Sequence, residues 1–178
     1  MAIYVTSDLH LFHNRDFIYE PRGFNSTYEM SEAILKNWNT IVKEDDDVYV
    51  LGDLMLNDDV AGLKLLKQLN GRIHIAFGNH DTDSRIENYL ACHNVVEVNI
   101  GYRIKYNGYT FIMSHYPTMV GNFNEPPFKK KVVNLAGHCH TKDKFLHKEY
   151  SVYHIELDAH NMKPILLDDV INDIKDLK

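Results

Sequence analysis

The chain has no uninterrupted apolar stretch approaching the ~20 residues of a membrane-spanning helix, so no helical span is expected. Its two cysteines, Cys92 and Cys139, cannot make the disulfide framework of a small secreted domain. Residues 1–5 lead straight into polar sequence and do not read as a secretory signal. A reducing cytoplasm is the setting these absences imply. Positive charge is also short: 19 Lys and Arg face 25 Asp and Glu, for a formal net charge of −6. That argues against an extended nucleic-acid surface. It leaves room for a local cationic site, because bound metal ions would add charge that the count omits. Internal repeats, low-complexity runs and a linker are missing too. The 178 residues fit one domain, 1–178, long enough to bury a sizeable core. Nothing in the sequence fixes an oligomeric state.

Histidine, by contrast, is abundant, and the placement of the eleven residues matters more than their number. Gly137-His138-Cys139-His140 closes the apolar run 132–136. In extended chain, residues i and i+2 point to one side. His138 and His140 are therefore expected to converge above a sheet edge, with Gly137 letting the backbone turn. Residues 2–6 read as a strand ending in Ser7-Asp8-Leu9-His10, with the same spacing. An Asx turn beside an exposed His10 is the competing reading there. His13, three residues on, could face the same pocket, but a surface loop is its expected place. Residues 48–51 read as a strand ending in Gly52-Asp53, and residues 72–77 as one ending in Gly78-Asn79-His80-Asp81. Residues 109–113 return from the hairpin signal Asn107-Gly108 and end in Ser114-His115.

Helices and loops fill the intervals. Residues 14–27 are expected to be irregular. Ser26-Thr27-Tyr28-Glu29 matches a capping box, with Glu29 reaching back to the cap. The helix it opens carries Met30, Ile34, Trp38, Ile41 and Val42 on one face. Residues 43–47 read as a solvated charged turn. Asp58 is expected to cap a helix running through residue 69, stopped by Asn70-Gly71. Asp81 or Asp83 would open a short helix over 86–90. Residues 95–100 and 102–106 read as strands. The loop 116–131 is a candidate wall of the site. Its closing Lys129-Lys130-Lys131 reads first as solubility and edge protection and second as an attractor for an anionic substrate. Residues 144–147 and 152–157 read as an antiparallel pair, with His147 and His154 inside it as non-ligands. Residues 158–161 read as a turn, and Asp168 as the cap of a final helix carrying Val170, Ile171, Ile174 and Leu177.

In open α/β sheets, ligands bind beyond the carboxyl ends of the strands. The polar set at those ends is Asp8/His10, Asp53, Asn79/His80, His115 and His138/His140. Oxygen and imidazole ligands without thiolate suit ions such as Mn, Fe, Zn or Ni. The set is too large for one ion, and two ions sharing a bridging carboxylate account for it better. Two divalent ions bring +4, and Asp8 and Asp53 remove 2, leaving a site near +2 that suits a phosphate ester. Two ions ~3.5–4 Å apart can clamp phosphoryl oxygens and lower the pKa of a bridging water.

Taken in order, Asp8-x-His10, Gly52-Asp53, Gly78-Asn79-His80-Asp81, Ser114-His115 and Gly137-His138-x-His140 resemble the five motifs of the calcineurin-like metallophosphoesterases. The match runs from residue 8 to residue 140, and the opening Ser7 to His13 looks like the small bacterial and phage-type members. The resemblance implies an α/β fold: a two-sheet β-sandwich flanked by helices in four αββα layers. It implies that Asp8, His10 and His140 hold one ion, that Asn79, His115 and His138 hold the other, and that Asp53 bridges. Manganese is the first choice of ion, with Fe, Zn, Ni or Mg as alternatives. His80 matches the non-ligand histidine that contacts phosphate and protonates the leaving oxygen, and Asp81 is a candidate to orient it.

There is one departure. Protein phosphatases of the family carry Asp-Arg-Gly after the second motif, whereas Gly52-Asp53 is followed here by Leu54-Met55-Leu56-Asn57. The phosphate-binding arginine is missing at that place, which disfavours a protein substrate, and Arg22 or Arg85 are candidates to replace it. The expected function is a binuclear metal-dependent phosphoesterase in which a metal-bridged hydroxide attacks phosphorus in line. A phosphodiester is favoured over a monoester, and nucleotides are among the candidate substrates. The rivals are a phosphomonoesterase, a non-catalytic metal-binding interaction protein, and a metal-dependent amide hydrolase. The complete ligand set and intact His80 disfavour the second, and a site so suited to a charged phosphoryl group disfavours the third.

Overall fold

The computed structural model describes residues 1–121 and 124–177. Asn122 and Phe123, within the loop read above as a site wall, lie outside the described residues. The first sheet holds four parallel strands, β1 (Ile3–Thr6), β2 (Asp47–Val50), β3 (Arg72–Ala76) and β4 (Val95–Asn99), in the order β4-β3-β2-β1. The two-residue strand Ile165–Leu166 adds to β1 antiparallel, as the fifth strand of this sheet. In the second sheet, β5 (Tyr102–Tyr106) and β6 (Tyr109–Ser114) form a hairpin whose turn residues Asn107 and Gly108 both have positive φ. Parallel to β6 run β7 (Val132–Ala136) and β8 (Val152–His154).

β1, β2 and β3 of the first sheet are buried on both faces, which is why they read as nearly continuous apolar runs, while β4 forms an exposed edge. Val48, Val50, Ile73 and Ile75 face one core with Met30, Ile34 and Trp38 of the helix Thr27–Ile41 and with Leu65 and Leu66 of the helix Asp59–Leu66. Val5, Leu51 and Ala76 face the other core, against Phe111 and Met113 of β6, Val133 and Leu135 of β7 and Tyr153 of β8. The terminal helix, Leu167–Asp176, adds Val170, Ile171 and Ile174 to this second core. The result is the expected mixed α/β architecture, two sheets flanked by helices. No helix among the described residues is long and apolar enough to cross a membrane.

Because β1, β2 and β3 are parallel, and β6 and β7 are parallel, each group ends its carboxyl termini side by side. The two edges are stitched together: Ser7 pairs with Glu156 in an isolated bridge, and His138 N donates to Asp8 Oδ2 at 2.9 Å.

Several local expectations change. Residues 144–147 are turns rather than a strand, and β8 lies parallel to β7 rather than in an antiparallel pair. A four-residue helix, Asp16–Tyr19, interrupts the stretch read as irregular. Glu29 does not return to Ser26 N but accepts from Asn25 N at 2.9 Å, while Ser26 Oγ accepts from Glu29 N at 3.1 Å. Thr82, not an aspartate, caps the helix Asp83–Leu90. The helix opened by Asp58 stops at Leu66. Asp168 sits in the first turn of the last helix and takes its bonds from Tyr106 Oη and Asn107 Nδ2. Leu177 falls beyond that helix and is exposed. Asp46 and Asp47 are buried rather than solvated: Asp46 accepts from Ala2 N, and Asp47 pairs with Arg72 and His74.

Candidate metal centre

Six strand or bridge ends deliver polar side chains to one edge, but not by the alternation of extended chain. Asp8 (φ 57°), His10 (49°), Asp53 (55°), His138 (73°) and His140 (48°) all occupy the left-handed region. Non-glycine residues there are strained, and such strain gathers at functional sites. His138 and His140 each sit where the chain turns back, so they do not share the strand geometry the i, i+2 spacing implied: His140 faces His10, and His138 faces His115. The loops interlock through backbone bonds: Asp8 N to Gly52 O at 3.0 Å, His10 N to Asp53 O at 3.0 Å, and Gly137 N to His115 O at 2.9 Å. Two glycines leave room for carboxylate and imidazole. A Cβ on Gly137 would collide with Asp8 Oδ2, and one on Gly52, whose φ is +85°, would lie 2.6 Å from His115 Nδ1.

The first group is Asp8, His10 and His140. Their donor atoms meet closely: His10 Nε2 lies 3.1 Å from His140 Nε2, and Asp8 Oδ1 lies 3.8 and 3.6 Å from those two nitrogens. Asp8 Oδ1 is fully buried and has no hydrogen-bond partner. A buried carboxylate oxygen without a partner is costly, and a cation between it and two imidazole lone pairs removes that cost. Burial raises the Asp8 pKa, but the imidazoles of His10, His140 and His115 around it outweigh that and take it down to about 2. Burial drives His10 down to about 4, so it is neutral and ligand-competent at neutral pH.

The second group is Asp8, Asp53 and His115, with Asn79 and His138 at its margin. His115 Nδ1 lies 2.8 Å from Leu51 O, which fixes the proton there and leaves Nε2 as the ligand atom. That Nε2 stands 2.9 Å from Asn79 Oδ1, 3.2 Å from His138 Nδ1 and 3.6 Å from Asp53 Oδ2. Asp53 Oδ2 also lies 3.7 Å from His10 Nε2, so one oxygen faces both groups. Burial raises the Asp53 pKa, with His115 opposing it. The donor set, carboxylate, imidazole and amide oxygen, fits two divalent ions with a shared carboxylate.

His80 stands beside this set, half-exposed, with Nε2 3.8 Å from Asp53 Oδ2 and its backbone N donating to Asp53 Oδ1 at 2.9 Å. Asp81 is not within hydrogen-bonding reach of the His80 ring in any contact the structure describes. Its carboxylate accepts from Asp53 N, Gly78 N, Leu54 N and Tyr89 Oη, clamping the two loops that carry Asp53 and Asn79.

Two contributors were misplaced by the sequence reading, and Arg22, a candidate substrate contact there, takes another task. His13 is buried rather than on a surface loop, with Nδ1 3.0 Å from His10 Nδ1. Asp158, read as part of a turn, places Oδ2 3.5 Å from His140 Nδ1 and takes two bonds from Arg22, at 2.7 and 3.0 Å. The strand-end rule that found the other residues would have found Asp158, had residues 158–161 been read as one more strand end. Arg22 is buried and also donates to Asp8 O and Leu9 O, so it braces the first group rather than facing substrate. Arg85 is tied to Asp59 and donates to His80 O at 2.6 Å. Lys129, Lys130 and Lys131 precede β7, at the strand end opposite His138; Lys130 pairs with Glu125, and Lys131 lies over the Tyr109 ring.

The calcineurin-like phosphoesterase family matches residues 1–176, and the chain belongs to it. An uncharacterized protein of Methanocaldococcus jannaschii is 31% identical over 95% of this chain and 89% of its own length. The gene 66 protein of Mycobacterium phage L5 is 35% identical, but over 43% of this chain and 38% of its own. Among solved structures, a protein of unknown function from Aquifex aeolicus superposes with a TM-score of 0.73 at 23% identity, covering 96% of this chain and 98% of that one. The E. coli phosphoesterase Yfce gives 0.50 at 15%, covering 88% and 78%. Both share the fold.

Proposed function

We propose that this chain, acting as one domain, is a binuclear metal-dependent phosphodiesterase. The observation that carries the reading is the buried, unpartnered Asp8 Oδ1 set against two imidazole nitrogens, with Asp53 Oδ2 between that group and His115. Asp8, His10 and His140 would hold one ion, Asn79, His115 and His138 the other, and Asp53 would touch both. When bound, two ions supply an acidified water and neutralise charge on the phosphoryl oxygens. His80 is half-exposed, within reach of Asp53 and outside both ligand groups, as a proton donor to a leaving alkoxide must be.

The diester preference rests on charge. A diester carries one negative charge and a monoester about two near neutral pH. Arg22 and Arg85, the arginines nearest the centre, are both occupied by aspartates, and the lysine triplet lies at the far strand end. A monoanion fits better a site whose nearby guanidinium groups are taken, and a nucleotide diester is a natural member of that class.

The test is hydrolysis of bis-p-nitrophenyl phosphate against p-nitrophenyl phosphate, with metal-stripped protein resupplied with manganese. Manganese-dependent turnover of the diester, faster than of the monoester, supports the reading. Preference for the monoester converts it to a phosphomonoesterase. No turnover with both ions bound sinks the enzymatic reading.

A further inference from the structure

Between His138 and His140 lies Cys139, whose side chain belongs to a different cluster. His147 and His154 meet it there, and the ligand atoms of all three lie within 4.8 Å of one another. His147 Nδ1 and His154 Nε2 are 2.9 Å apart. His154 and Glu156 are both fully buried. Glu156 Oε1 sits 3.0 Å from His154 Nδ1 and accepts from Cys139 N at 3.2 Å, while its Oε2 has no partner. Glu156 thus holds the proton of His154 on Nδ1 and leaves the Nε2 lone pair aimed at His147 and Cys139. A carboxylate behind a histidine is the arrangement that orients and strengthens a metal ligand.

We propose that Cys139, His147 and His154 form a third metal site of zinc type, separate from the binuclear centre. Thiolate and imidazole are the donors zinc takes, at ~2.3 Å from sulfur and ~2.0–2.1 Å from nitrogen, and a tetrahedral ion at those distances draws its ligands to within about 4 Å of each other. One thiolate and the Glu156 carboxylate cancel the charge of a divalent ion, so the filled site is neutral, with His154 and Glu156 buried behind it and Cys139 and His147 nearer the surface. Binding displaces the thiol proton to solvent. Three protein ligands leave a fourth position for water. The sequence reading took His147 and His154 as non-ligands because they fall on no shared spacing. Residues 144–150 bring them together by folding back over Cys139. An ion there would pin that segment to the backbone that carries His138 and His140, and so hold the two ligands of the main centre from behind.

The test uses cobalt. The binuclear ligand set contains no sulfur, so a thiolate-to-cobalt charge-transfer band in the near ultraviolet reports the new site alone. Metal-stripped full chain titrated with Co²⁺ should develop that band, saturating at one equivalent of the sulfur-bound ion. Zinc-loaded protein should carry three ions per chain, and Cys139→Ser two. His147 is only half-buried and lies at a turn, so His147→Gln gives a second variant should Cys139→Ser misfold, and it should weaken or abolish the band. Absence of the band in folded wild type with cobalt bound elsewhere would reduce the cluster to an imidazole–imidazole hydrogen bond. A band that survives His147→Gln at full strength would assign the thiolate to the main centre and overturn the proposal. So would a band that survives Cys139→Ser and disappears in Cys92→Ser.

Discussion

The two halves of the proposed binuclear centre are built to different standards. In the Asp8/His10/His140 half, every ligand is backed. Arg22 grips the Asp8 and Leu9 carbonyls, His13 sits on His10 Nδ1, and Asp158 sits on His140 Nδ1. Asp8 and His10 are 0% and 1% exposed. In the other half His115 is held by Leu51 O and Asp53 by His80 N. Asn79 and His138 are exposed, and His138 leans on the Tyr116 ring at 4.7 Å. Ligands whose outer nitrogens are fixed lose little freedom when an ion binds. The backed half should fill first and hold its ion tightly. His80 packs its ring 5.6 Å from His10 and 5.9 Å from His13, on the backed side, and reaches towards Asp53 Oδ2 between the halves.

Four expectations probe that contrast. The largest effect falls on the group common to both halves. Asp53→Asn should lower turnover by about 10³-fold or more, the weight of several kcal/mol of charge stabilisation, and should deplete both ions. Metal analysis and steady-state kinetics report this together, and full occupancy at normal rate would remove Asp53 from between the ions. Next comes His80→Ala, expected to lose ~10²–10⁴-fold of turnover on esters with poor leaving groups. Both ions should stay, and loss of an ion in that variant would make His80 a ligand. Third, Asp158→Asn should weaken, by ~10–100-fold, one of the two manganese-binding steps that calorimetry assigns to this centre in the Cys139→Ser background, and leave the other in place. Equal weakening of both steps would erase the distinction between the halves. The smallest effect is expected from replacing Lys129, Lys130 and Lys131 together by alanine. Five residues of β7 at ~3.3 Å each put the triplet about 16 Å from His138, about twice the ~8 Å screening length at physiological salt. Turnover should be nearly unchanged at that salt, and a marked rise in KM would bring the triplet back as a substrate contact.

What was legible shared one property: it depended on local pattern. Five strand ends, each an apolar run stopped by Gly, Asp or His, announced themselves, and so did the Asn107-Gly108 turn. Hidden features depended on where distant segments lie. His13 looked like a loop residue because nothing local says that His10 turns its Nδ1 towards it. Asp158 looked like a turn because its partner Arg22 is 136 residues away. Residues 144–147 looked like a strand because alternation was read without knowing that β8 takes its hydrogen bonds from β7.

The sequence by itself determined the residue types at each strand end and the order of the motifs, and through their resemblance to the family implied the two-sheet α/β plan, since periodicity and motif order are properties of short stretches. Only the tertiary structure decided which ligands are braced and which are open, that Arg22, Arg85 and Asp81 serve neighbouring loops, and that Cys139 turns away from the histidines flanking it. Those outcomes depend on left-handed backbone turns and on contacts between segments more than a hundred residues apart. A chain read one window at a time carries neither.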